Sequence, residues 1–138
     1  MAISKIETDS LASGLVAPTA TALTTASGSA PSYSARAWVN FNGTGTVAIR
    51  ASGNVSSITD NGTGDYTVNF ATALADANYS MNVTCSSNGT NNFIGATVFT
   101  NASTGANVTP TTSAARLNAG VYGVGTFDPT YLQVSVFR

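Results

Sequence analysis

In separate runs between Tyr33 and Phe137, apolar side chains recur at every second position, and no stretch carries a sustained apolar stripe at helical spacing. A period of two sorts residues onto the two faces of a strand, so this half-buried alternation constrains the fold more than any other feature. In YSARAWVNF, Tyr33, Ala35, Ala37, Val39 and Phe41 fall on one face, against Ser34, Arg36, Trp38 and Asn40. DYTVNF sets Tyr66, Val68 and Phe70 against Thr67 and Asn69. NYSMNVTC sets Tyr79, Met81, Val83 and Cys85 against Ser80, Asn82 and Thr84. YLQVSVFR sets Leu132, Val134 and Val136 against Gln133 and Ser135. Further strands are expected over 45–52, 55–59, 92–100 and 114–118.

The connections agree with this. Asn42-Gly43, Asn61-Gly62 and Asn88-Gly89 each join strand-like runs, and Asn-Gly favours tight hairpins because both residues tolerate positive φ. Short strands with one apolar and one polar face predict an all-β fold, an antiparallel β-sandwich of jelly-roll-like form. Residues 33–138 make up this domain.

Residues 1–32 are different. They contain no aromatic side chain, and APTATALTTASGSAP is a low-complexity run with proline near each end. Such a segment buries too little apolar surface to offset its ordering entropy. It reads either as a tail or as an extended N-terminal attachment arm that orders on assembly, with Ile3, Ile6, Leu11, Leu15 and Val16 as its apolar contacts. Glu7 and Asp9 interrupt the place where the apolar core of a signal peptide would begin, so synthesis in a cytoplasm without export is expected.

Charge is scarce. Only 8 % of residues are charged, where an ordinary soluble protein has about 25 %. Thr, Ser, Asn, Ala and Gly take their place, giving a surface solvated by hydroxyls and amides that loses little on packing against copies of itself. The five basic residues are scattered, which argues against nucleic acid as a partner, and no polybasic or long apolar stretch points to membrane insertion. The Asn-x-Ser/Thr triplets follow from composition, so no glycosylation is expected.

Catalytic chemistry has little to draw on. Histidine is absent, Cys85 is the one cysteine, and there are six carboxylates. Zinc and copper sites lack ligands. Asp60 and Asp65 flank Asn61-Gly62-Thr63-Gly64, a spacing that hints at calcium, but a calcium loop needs about six or more oxygens and usually several close carboxylates. The segment is read as a turn, Asp128 before Pro129 as another, and the protein as a non-enzyme without metal or cofactor. GVYGVGTF is followed by no helix and so lacks the dipole of a phosphate cradle. Surface recognition remains. Arg36, Trp38, Tyr131 and Phe137 fall on the polar side of their strands and form a candidate patch, buried at a subunit interface, stacking on sugar rings, or simply packing in a second layer of the sandwich.

The stretch from Trp38 to Val83 resembles a segment recurring in tail-fibre and other virion structural proteins of tailed bacteriophages, including phages of cyanobacteria and marine bacteria. GDYTVNFATALADANY and WVNFNGTG carry the resemblance most specifically. It implies a β-rich fibre or knob module, commonly homotrimeric, mounted on the virion by its N-terminal part and exposed to a host-surface polysaccharide or protein. Its other partners would be virion proteins of the tail or capsid. A head fibre, a capsid decoration or cement protein, and a stand-alone carbohydrate-binding module are the alternatives.

Overall fold

The computed structural model describes residues 34–87, 94–121 and 125–138. The arm over 1–32 with its five apolar residues, the Tyr33 end of the first strand and the Asn88-Gly89 turn lie outside these residues. Within them the chain forms nine strands and no helix: β1 (Ala35–Asn42), β2 (Ala48–Gly53), β3 (Val55–Gly62), β4 (Asp65–Phe70), β5 (Ser80–Cys85), β6 (Ile94–Val98), β7 (Ala114–Val121), β8 (Gly125–Thr126) and β9 (Leu132–Phe137).

They build two antiparallel sheets packed as a sandwich. Sheet A has the order β2-β1-β9-β5 and sheet B the order β3-β4-β7-β6, with β8 also on β7. The alternating side chains meet between them. Val39, Phe41, Leu132, Val134 and Val136 of sheet A pack with Tyr66, Val68, Ala115, Leu117 and Ala119 of sheet B in one buried core. Phe41 meets Tyr66 edge-on at 5.2 Å across the sandwich, and Tyr79 stands edge-on to both Phe70 and Phe99 at 5.8 Å. Such pairs add to what their area alone contributes. Phe99 holds a left-handed φ of 57°. Its amide donates to the Arg116 carbonyl, and its own carbonyl accepts from the Val108 amide, each at 2.7 Å.

Asn54 is the corner where the chain leaves sheet A and enters sheet B. It alone separates β2 from β3, at a φ of 54°. Asn tolerates this region better than other residues with a side chain. Its amide binds the Arg36 and Thr72 carbonyls at 3.0 and 3.1 Å and accepts from the Thr72 amide at 2.8 Å.

Several sequence expectations need correction. Asn61 and Gly62 belong to β3, and the turn residues are Thr63 and Gly64. A register shift between Asp60 and Gly62 moves the turn on, and Gly64 takes a φ of 68° where a Cβ would strike the Ala119 and Phe127 carbonyl oxygens. On β1 the alternation breaks at its start. The register against β9 shifts between Ala35 and Ala37, which turns Ala35 out and leaves Arg36 buried. Val83 and Cys85 are only half-buried. β7 runs to Val121, beyond the expected 118, because β6 and β8 extend the ladder past the end of β4.

Candidate functional site

The ionisable groups come first, because so few exist. Asp65 begins β4 and Arg116 lies on β7, and their side chains share the outer face of sheet B. The guanidinium donates twice, Nε to Oδ1 at 2.7 Å and Nη2 to Oδ2 at 2.8 Å, and the Ala102 amide donates to Oδ2 at 2.9 Å. Burial alone would raise the Asp65 carboxyl. Arg116 and the Ala102 amide outweigh it and hold the group below the usual carboxylate range. Asp128 accepts from the Gly64 amide and the Tyr66 hydroxyl, both at 2.7 Å. Burial first, and the Asp128 carboxylate second, push the Tyr66 phenol well up. Asp76 is paired with Arg138, whose Nε lies 2.7 Å from Oδ1, and this bond holds it low. Asp60 accepts from the Gly62 amide at 2.9 Å in the β3–β4 hairpin.

All four described carboxylates therefore have partners inside the fold. Among the described residues no group of His, Cys, Asp or Glu is placed to hold a metal ion. Asp60 and Asp65, the pair that hinted at calcium, are bound to a turn amide and to Arg116. Glu7 and Asp9 lie outside the described residues.

The candidate patch is split. Arg36 is 9 % exposed and donates through Nε to the Arg138 carbonyl at 2.8 Å, so the bulge makes it a tie between the start of β1 and the residue after β9. Phe137 is half-buried near it, opposite Ala35. Trp38 pairs with Ser135 on one side and Gly53 on the other, and it remains 44 % exposed. Its indole occupies the space that a side chain at Gly53 would need. A bare glycine in an edge strand is thus covered by its cross-strand aromatic neighbour. Tyr131 is 49 % exposed just before β9, four residues along the chain from the Ser135 that pairs with Trp38, or roughly 13 Å.

Sequence reasoning missed the partner of Tyr131. The Arg50 guanidinium of β2 lies 4.2 Å over the ring, and its Nη2 reaches Asn42 Oδ1 at 3.4 Å. Beside Tyr131, Thr84, Cys85, Ser86 and Gln133 border a shallow groove of about 220 Å³. Burial raises the Cys85 thiol, which favours its neutral form there.

The polar side chains of the two outer faces behave differently. On sheet B they bond one another. Asn69 donates to Ser57 and Thr59 at 3.1 and 2.9 Å, Asn61 to Thr67 at 2.9 Å, and Thr97 to Asn118 at 2.7 Å. On sheet A, Asn40, Asn82, Thr84, Gln133 and Ser135 make no side-chain hydrogen bond among the described residues. Asn40 Oδ1 is enclosed and has no donor.

The class of molecule defined by these features is an antiparallel β-sandwich with a neutral, amide- and hydroxyl-rich exterior. Compared with known protein families, with curated proteins and with solved structures, the chain matches none.

Proposed function

We propose that the chain is a non-enzymatic structural protein of a bacteriophage virion, a short homotrimeric fibre or knob held by its N-terminal arm and exposed for host-surface contact. One observation carries this reading: every described side-chain carboxylate is already hydrogen-bonded within the chain, two of them (Asp65 and Asp128) to groups on other strands. What faces outward is then suited to packing and contact rather than to acid–base chemistry. The outer face of sheet B supports the trimer. Its Ser, Thr and Asn side chains already satisfy one another, so little hydrogen bonding with water is lost when a second copy covers them. Three copies on one mount gain avidity at a surface that each binds weakly. The resemblance between Trp38 and Val83 supplies the virion setting.

Light scattering on the full chain tests the assembly. A trimer of 3 × 13.9 kDa, about 42 kDa, is expected, and a monomer overturns it. An antiserum against the chain tests the setting. It is expected to decorate tailed particles under the electron microscope, and label confined to the soluble fraction of the lysate overturns the virion reading.

A further inference from the structure

We propose that the outer face of sheet A is a binding surface for an uncharged polysaccharide, with Trp38 and Tyr131 as its two stacking platforms. This rests on the host-contact reading above and names both the ligand class and the face that takes it.

Three observations converge on that face. The first is the pair of half-exposed aromatic rings. Trp38 is seated on Gly53, so its indole is supported from below while 44 % of the residue stays open. Arg50 lies across the ring of Tyr131, and Tyr131 also borders the groove with Thr84, Ser86 and Gln133. Apolar faces of sugar rings stack on such surfaces, and the two platforms lie far enough apart for more than one sugar unit.

The second is the row of hydrogen-bonding groups between them. The strand register sets Asn40 beside Gln133 and Gln133 beside Thr84; the next row is Trp38, Ser135 and Asn82. None of these amides and hydroxyls has a side-chain partner among the described residues, while those of sheet B are mutually satisfied. A polyhydroxylated chain offers donors and acceptors in both senses.

The third is charge. Among the described residues, the two rows named above carry only amide, hydroxyl and indole side chains, and Arg50 beside them has its guanidinium laid on Tyr131. Uncharged rows favour a neutral ligand over an acidic or basic polymer. The groove beside Tyr131, about 220 Å³, opens on the same face.

The test is native gel electrophoresis of the full chain through gels containing dextran, mannan, galactan or xylan, with alginate as the acidic polymer. At least one neutral polymer is expected to retard the protein. Trp38→Ala is expected to weaken retardation on the order of tenfold, and Trp38→Phe to restore part of it. Gln133→Ala is expected to weaken it several-fold, and Ser103→Ala, on the distant β6–β7 loop, to leave it unchanged. Circular dichroism and light scattering on each variant confirm fold and mass. Retardation by no neutral polymer, or by alginate alone, overturns the proposal. So does a Trp38→Ala protein that loses its oligomeric mass, since the face is then an interface between copies. The two readings fail separately. A trimer that no neutral polymer retards ends the glycan surface and leaves the virion reading; a retarded monomer ends the trimer and leaves the surface.

Discussion

Asp65 and Arg116 form a two-point ion pair that also pins the loop between β6 and β7, because the Ala102 amide donates to the same carboxylate. Asp65 is 3 % exposed at its side chain and Arg116 22 %. Removing one partner therefore leaves a charge with little access to water.

Arg116→Met is expected to cost about 3 kcal/mol, roughly 10 °C in melting temperature, measured by thermal unfolding at neutral pH. The pH dependence carries the sign. With Arg116 present, the folded pKa of Asp65 lies below its unfolded value, so its contribution is present above that value and lost as pH falls through the folded one. Without Arg116, burial raises the Asp65 pKa in the folded state. Arg116→Met should then regain stability on mild acidification while the parent protein does not. A variant that loses stability in parallel with the parent would show that the pair contributes nothing specific.

At Asn54 the expected order of variants follows from two separate costs. Asn54→Ala loses the bonds to Arg36 and Thr72 and keeps a Cβ at a φ of 54°, so a loss of about 3 kcal/mol is expected. Asn54→Gly loses the same bonds but accepts the backbone, so about 1 kcal/mol less is lost. Denaturant unfolding of both measures the difference. Equal losses would mean that the left-handed backbone costs nothing at this corner.

Alkaline pH should unfold the protein through two tyrosines. Burial pushes the Tyr79 phenol up to about 12, and its hydroxyl donates toward the Thr111 and Ala114 carbonyls at 3.2 and 3.1 Å. Tyr66 is raised by burial and by Asp128. Both folded values exceed the unfolded value of about 10, so this stability is complete below pH 10 and lost as pH climbs through the folded values. For Tyr79 alone the loss is about 2 kcal/mol by pH 12. Melts between pH 8 and 12 should fall steeply in the parent and less steeply in Tyr79→Phe; identical slopes would remove Tyr79 from the account.

Much of the fold was legible in the sequence, and the candidate site much less. DYTVNF reads as a strand with Tyr66, Val68 and Phe70 inward, and it is one, because an uninterrupted ladder preserves the period of two. Arg36 was misplaced because a one-residue register shift inverts a face, and a bulge leaves no mark in local composition. Asn61-Gly62 misled for a related reason, since the ladder continued past the favoured pair. The exposure of Trp38 and Tyr131 followed from alternation. Arg50 over Tyr131, Asp128 under Tyr66 and the unsatisfied row on sheet A did not, because each depends on which strands become neighbours.

Gly53 and Trp38 offer the last test, and it connects packing to the proposed surface. A Cβ at Gly53 would overlap the pyrrole side of the indole, so Gly53→Val must lift the ring off β2. Trp38 is the chain's single tryptophan, so its fluorescence reports this movement alone. The emission of Gly53→Val should shift to the red as the ring enters water. Stability should change by less than about 1 kcal/mol, because valine suits an edge strand while the lost contact is half-exposed. If the seated indole is a stacking platform, the same variant should lose polysaccharide retardation although no polar group of the strip has been touched. Unchanged emission would mean that the indole does not rest on Gly53 in solution.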